Sequence, residues 1–308
     1  MKYFDLHCDT ISDCCNEKKS LYDGDLKISL LRGRKYSPWF QCFAIWIPDE
    51  IRGKPALDYF DAVLLNFQQE IQLHPDLIML CRNAADFKTA EHQGKIGAIL
   101  TVEGGAATAG SLERLNYMAD CGVKVMTLTW NSSCEFGDGA GVNPSKGLTE
   151  FGRRAVREME RLNIVIDVSH ASDKLFEDVV ACTQKPFIAT HSNSRKICAH
   201  NRNLTDGQFC TIRERGGLVG INFVAEFLNH TGEAGMDDIL RHIEHFLSLG
   251  GEQCVAIGSD FDGAILPKGI TGIESVEKIA ELMLRHNYSE NLVHSILYDN
   301  AHHFFLSL

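Results

Sequence analysis

No apolar run in this chain approaches the ~20 residues that a helix needs to cross a bilayer, and none of its eleven cysteines forms a CxxC pair. The first absence argues against a membrane-embedded protein. The second, with an odd number of thiols scattered from Cys8 to Cys254, fits reduced cysteines better than a disulfide framework. Positive charge is also short. Thirty Lys and Arg face 41 Asp and Glu, a formal net charge of −11, so counterion release would work against binding to nucleic acid or an anionic membrane. A small-molecule substrate is favoured. No GxSxG, Walker A or GxGxxG motif is present, and the glycines of EGGAATAG after Glu103 lack the spacing for a dinucleotide, which weighs against serine hydrolase, nucleotide and redox-cofactor chemistry. MKYFDLHCDT leaves no room for a charged-then-apolar presequence ahead of the candidate ligand at position 7, and the expectation is a cytoplasmic protein.

What the chain does have is alternation. Apolar, β-branched runs occur at about residues 2–7, 41–47, 97–102, 123–129, 163–169, 186–190, 217–223 and 254–259. Their near-continuous hydrophobicity, as in VKVMTLTW and NIVIDVSH, is that of strands buried on both faces of a parallel sheet. Helical patterns lie between them. In TEFGRRAVREMERLN, Thr149 is placed to cap the start and Phe151, Ala155, Met159 and Leu162 share one face. Further helices are expected at about 56–72, 84–93, 111–120, 172–181, 235–248 and 274–286. Eight strand and helix alternations predict an α/β fold, a (β/α)8 TIM barrel of the metal-dependent hydrolase type, as a single domain over residues 1–308. A short apolar run at 78–81 is read as an excursion between the second and third barrel strands, and the polar stretch from about 10 to 39 as a long loop over the site.

Five polar clusters sit where apolar runs stop: FDLHCDT, ILTVEGG, IVIDVSH, PFIATHS and VAIGSDFDG. Carboxyl ends of strands are where such barrels place their active sites. His7 and Asp9 are two apart, so on a strand both point to one side and one metal could take both. With Glu103, His170, His191 and Asp260 they make three imidazoles and three carboxylates, a set suited to a pair of borderline divalent ions such as zinc. Singly, each is as readily a surface or capping residue; jointly they read as a metal site. Other histidines have plainer readings. His242 and His245 in RHIEHF fit neither HExxH nor HxxEH and are assigned to a solvated helix face, and His302 and His303 to packing or exposure in the apolar tail. Asp262, in the same DFDG turn as Asp260, is expected to serve that turn through backbone hydrogen bonds. Asn193 and Arg195 are read either as groups that orient ligands or as loop caps.

These segments, together with GLTEFGRRAVREMERLNIVIDVSH, ATHSNSR and HNRN, resemble the membrane (renal-type) dipeptidases, a branch of the amidohydrolase superfamily with a binuclear zinc site. The resemblance covers nearly the whole chain. It implies two zinc ions per chain, His7 and Asp9 holding the first, His170 and His191 the second, and Glu103 bridging them. It places Arg202 of HNRN on the substrate's free carboxylate, a task suited to a bidentate guanidinium. Relatives are often dimers, so a homodimer is an open expectation. The chain departs from the family in two places. MTLTWN carries Trp130 and Asn131 where many relatives close that strand with a histidine thought to contact the substrate carbonyl. Asn131 could donate in its place, and Trp130 reads either as a pocket wall or as core packing. Val224 follows GINF where renal-type members carry tyrosine.

Two zinc ions that share a water bring its pKa toward about 7, giving a metal-bridging hydroxide at neutral pH. An amide nitrogen leaves poorly unless protonated, so a carboxylate must move a proton from the attacking water to the amine. Asp260 is the candidate. The expectation is a zinc-dependent dipeptidase cleaving small dipeptides, with the resemblance implying tolerance for L-X-D-X substrates. The alternatives are another binuclear amidohydrolase acting on a lactam, cyclic amide or N-acyl amino acid and, in a different class, a barrel that keeps its metals but only binds.

Overall fold

The computed structural model describes all 308 residues. Its sheet comprises β1 (Tyr3–Asp5), β2 (Trp39–Trp46), β3 (Ile78–Leu80), β4 (Ile96–Glu103), β5 (Val123–Thr127), β6 (Val165–Asp167), β7 (Val219–Ile221) and β8 (Val255–Ile257). All pairings are parallel, in the order β6-β5-β4-β2-β1-β8-β7, so the two ends of the chain meet where Asp5 pairs with Ile257. Helices carry the chain back between strands, as parallel pairing requires.

The run at 78–81 is a strand of this sheet rather than an excursion. β3 pairs with Ile96–Ala98 of β4, and β5 pairs with Leu100–Glu103 after a register irregularity. The eight residues of β4 outrun the five of β5, and β3 supplies partners for the backbone groups left over. The run at 186–190 is the reverse case. It makes two single-residue parallel bridges, Asp167–Ile188 and Ala189–Val219, between the two ends of the sheet path. Pro186 brings no N–H. Beyond Ala189, Thr190 N–H turns to Asp167 Oδ1 at 2.9 Å and His191 N–H to Ser169 Oγ at 3.0 Å. Side chains thus take the hydrogen bonds that a longer ladder would have used.

The expected helices are present at Lys54–Leu73, Ala84–Gln93, Leu112–Cys121, Glu150–Arg161, Asp173–Cys182, Met236–Ser248 and Val276–Arg285. Thr149 caps its helix by accepting from Gly152 N–H at 2.9 Å. Further helical segments add to the expectation. Asp206–Glu214 starts with a capping box of Thr205 and Gln208, and the terminal segment Glu290–Leu306 includes a π turn at Ser295–Asp299. The stretch 10–39 is not one long loop. It holds the helix Thr10–Glu17 and a short helical turn at Leu30–Gly33, and Asp262 ties it down by accepting from Thr10 Oγ1 and Lys27 N–H, each at 2.6 Å. Asp262 therefore serves this segment rather than its own turn.

Side chains two apart on a strand share a face, and that period builds two layers beneath the site. Phe4, Phe40, Ile99, Val125, Val165, Ile188, Leu218 and Ala256 form an apolar cluster with Phe87, Tyr298 and Phe305. Two residues further along the strands, Leu6 and Cys42 stay in that apolar cluster, while Thr101, Thr127, Asp167, Thr190, Gly220 and Gly258 make a layer of small or polar groups. The backbones approach closely here: a Cβ on Gly258 would lie 1.7 Å from the Thr190 carbonyl oxygen, and one on Gly220 1.9 Å from it. None of the eleven cysteines is in a disulfide, and no helix is long and apolar enough to cross a membrane. Gly258→Ala is expected to cost at least about 1–3 kcal/mol, the usual range for overpacking, because the obstructing atom is backbone; urea denaturation of the two proteins measures it.

Candidate metal centre

The six expected ligands converge at the carboxyl ends of the strands. His7 and Asp9 follow β1, Glu103 ends β4, His170 follows β6, His191 follows the bridge at Ala189 and Asp260 follows β8. All are buried, His191 completely and Asp260 with 8% exposed. Glu103 is the hub. Its Oε2 lies 3.5 Å from His7 Nε2, and its Oε1 lies 2.8 Å from His170 Nε2 and 3.5 Å from His191 Nε2. His7 Nε2 is also 3.5 Å from Asp9 Oδ2 and 3.8 Å from Asp260 Oδ1. His170 and Asp260 hold left-handed backbone at φ +65° and +60°, a conformation that costs free energy for residues with a Cβ and clusters at functional sites.

Burial disfavours charge on His7, Asp9, Glu103, His170 and His191, but the balance differs among them. At His7 burial is outweighed by Glu103 and Asp9, which hold it well above its ordinary value. Burial, and then His7, push His191 well below its own; burial, and then Arg202, push His170 down. Glu103, although buried, is kept well below the usual carboxylate range by His7 and His170, whereas burial and Glu103 drive Asp9 up.

The donors fit a divalent cation. His7 Nε2, His191 Nε2 and Asp9 Oδ1 are buried without a hydrogen-bond partner, a state that interiors rarely tolerate. Ligand atoms of His7, Glu103 and His191 lie within 4.8 Å of one another, as do those of His7, Asp9 and Asp260. His170 belongs to neither triad and joins through Glu103. Its Nδ1 lies 2.9 Å from Asn131 Oδ1, so donating to Glu103 as well would require the imidazolium that burial disfavours. A cation on the Nε2 side removes that conflict.

His191 is held by a relay absent from the sequence reading. Asp167 Oδ2 accepts from the hydroxyls of Thr127 and Thr190, each at 2.5 Å. With its hydrogen committed there, Thr190 Oγ1 can only accept from His191 Nδ1–H at 2.8 Å. That fixes the tautomer and leaves Nε2 facing Glu103. Asp260 is held similarly, its Oδ2 accepting from Asn222 Nδ2 at 2.9 Å. Asn222 is in turn clasped through its backbone by Asn193, which gives Asn193 an orienting place. Arg195 forks onto Asp173 and is structural.

Arg202 is 5% exposed and sits over the Phe227 ring with its Nε unpartnered. No carboxylate pairs with it, and burial pushes it down to about 10. Trp130 lines the pocket edge-on to Trp46, with ring centroids 5.1 Å apart. Asn131 also lines the pocket, but its carbonyl oxygen is engaged by His170. Val224 also lines the pocket wall. The solvated-face reading of His242 is wrong. It is fully buried, its Nδ1 accepts from Ser194 N–H at 3.0 Å and its Nε2–H donates to the Leu228 carbonyl. Burial holds it neutral, down to about 4.

The profile of the membrane dipeptidase family, peptidase family M19, matches residues 1–305. The chain belongs to this family. Among solved structures it is similar to a dipeptidase AC, a metallopeptidase of family M19, with 30% identity, 99% of this chain and 98% of that chain covered, and a TM-score of 0.93. It is equally similar in fold to a Rhodobacter sphaeroides metallopeptidase liganded with a phosphinate mimic of L-Ala-D-Ala, at 29% identity, 100% and 99% coverage and TM-score 0.93. A Klebsiella pneumoniae protein described only as lying in the pqqA 5′ region is 32% identical over 235 residues, 72% of this chain and 86% of that one. This M19 chain is thus a metallo-dipeptidase on an α/β fold with a parallel sheet.

In this M19 enzyme, Thr190→Val should sever the relay while keeping side-chain volume. Affinity for zinc, read by chelator competition, is expected to fall about 10–100-fold, the usual cost of losing a group that orients a ligand, with the far-UV circular dichroism unchanged. Unaltered affinity would remove Asp167 and Thr190 from the metal site's support.

Proposed function

We propose that the chain is a two-zinc dipeptidase, a single (β/α)8 barrel domain that hydrolyses the peptide bond of small dipeptides, L-X-D-X among them. The bridges at Ile188 and Ala189 between the two ends of the sheet support the barrel reading. One observation carries the two-metal reading: Glu103 divides its carboxylate, Oε2 toward His7 and Oε1 toward His170 and His191. A bridging carboxylate needs that division. His7 and Asp9 would hold one ion and His170 and His191 the other, with Glu103 shared. Bound there, the ions supply Lewis acidity for an amide carbonyl and acidify water.

The protein's own groups do the rest. Arg202 is a buried charge without a protein counterion, an arrangement costly unless an anion completes it; a dipeptide's carboxylate is such an anion. Asp260 keeps Oδ2 on Asn222 and turns Oδ1 toward the cluster, so a free oxygen is held in a fixed orientation. It takes the proton of the attacking water as the new C–O bond forms and returns it to the nitrogen as the C–N bond breaks. Water and amide yield one carboxylate and one amine. The phosphinate mimic of L-Ala-D-Ala bound by the Rhodobacter relative supports substrates of that class.

Zinc-loaded protein should release amino acid from L-Ala-D-Ala and L-Ala-L-Ala but not from their N-acetyl forms, at about two zinc ions per chain. Failure to retain metal would sink the reading, and cleavage of N-acetyl substrates alone would transfer it to another amidohydrolase. Asp260→Asn is expected to lower turnover by about 100-fold or more with metal content kept. Arg202→Met should lower kcat/KM about 100-fold, chiefly through KM, as loss of a buried charge partner does; unchanged KM would take Arg202 off the carboxylate.

A further inference from the structure

The pocket above the metal centre, about 340 Å³, is lined by five carboxylates, and four of them have an occupation. Asp9, Glu103 and Asp260 belong to the imidazole cluster, and Asp262 anchors Thr10 and Lys27. Asp13 has none. It stands in the helix Thr10–Glu17, forms no ion pair or side-chain hydrogen bond, and is partly buried. The cation that feels it, Lys19, is bound by Glu17 at 2.7 Å and Asp25 at 2.9 Å. Burial, with Asp262 and Glu17 adding to it, pushes the Asp13 carboxyl up to about 6, so its charge is held against resistance that an approaching cation would relieve.

Two more observations say what that cation is attached to. Trp46 and Trp130 line the same pocket, and indole faces attract ammonium and guanidinium groups. Arg202 follows the segment that bridges β6 and β7. Counting strands from that segment in either direction along the order β6-β5-β4-β2-β1-β8-β7 reaches β2, the strand of Trp46, at the far side of the mouth, with β1 and Asp13 beside it. A dipeptide with its carboxylate on Arg202 and its scissile carbonyl over Glu103 then extends its amino-terminal residue toward Asp13 and Trp46. Its α-ammonium, one carbon from that carbonyl, stays near Asp9 and Asp260. What reaches Asp13 is the side chain.

We infer that Asp13 is a specificity-determining residue that favours dipeptides whose amino-terminal side chain is cationic, lysine or arginine. This rests on the dipeptidase reading above and names its substrate class. The test compares kcat/KM for L-Lys-D-Ala and L-Arg-D-Ala with L-norleucine-D-Ala in the zinc-loaded enzyme and in Asp13→Asn, alongside calorimetric binding of lysyl and norleucyl phosphinate analogues, which reads preference without turnover. The cationic substrates and analogue are expected to be favoured about tenfold, the ratio to fall toward one in Asp13→Asn and to be partly restored in Asp13→Glu. Equal use of both classes, or a preference that survives Asp13→Asn, would overturn the inference while leaving the dipeptidase reading intact. Asp13→Asn weakening every free-amine substrate by one factor would overturn it too, assigning Asp13 to the α-ammonium. If no dipeptide is cleaved and neither analogue binds, both fall together.

Discussion

Glu103 carries a negative charge at the end of one of the two longest strands in the sheet, where only 3% of the residue meets solvent. Removing a carboxylate from water to that extent costs several kcal/mol unless partners replace the water. The carboxyl end of the sheet is organised around that requirement. Three imidazoles are drawn to the two oxygens of Glu103 from three other strand ends, and each imidazole needs its remaining nitrogen fixed. Asn131 does this for His170, and Thr190, backed by Asp167, does it for His191. The polar layer beneath the site, the small residues that admit it and the left-handed turns at His170 and Asp260 follow from the same demand.

The convergence of the six residues was legible in the sequence because an apolar run ending in a polar residue marks a strand's carboxyl end, and six such residues in five places are hard to assign to capping alone. Asp167 was not legible. In IVIDVSH it is one polar letter inside a strand, and its meaning comes from hydroxyls elsewhere in the chain, at Thr127 on β5 and at Thr190 beyond the bridge at Ala189. His242 was misread although its spacing from Ile239 and Phe246, three and four residues away, sets it at the edge of the helix's buried face; Ser194 and Leu228 cover it from elsewhere in the chain. The run 186–190 has strand composition, yet side chains intercept its backbone hydrogen bonds. The Thr205–Gln208 capping box was written plainly in LTDGQ and passed over. The helix Thr10–Glu17 was less visible, since five of the eight residues in TISDCCNE are polar and its fixation comes from Asp262, more than 240 residues away.

Within the family, backbone and wall have separated. At about 30% identity the fold superposes with a TM-score of 0.93, while Trp130 and Val224 replace a histidine and a tyrosine that the resemblance led us to expect. Such positions follow the ends of strands, where loops change without disturbing the packed layers. Asn131 shows how one replacement alters another: its carbonyl oxygen orients His170, so whatever it offers a substrate must come from its amide nitrogen.

The first and last segments of the chain are joined below the site. Phe4 stacks on Phe305 at 5.2 Å, and Asp5 pairs with Ile257 on the neighbouring strand. During synthesis, His7 and Asp9 leave the ribosome long before Asp260 and wait for it and then for the aromatic seal from the terminal helix. At ~5–20 residues per second that interval is tens of seconds, through which β1 has one of its edges open. A protein truncated before the terminal helical segment would lose Tyr298 and Phe305 and lay open the apolar cluster beneath the site.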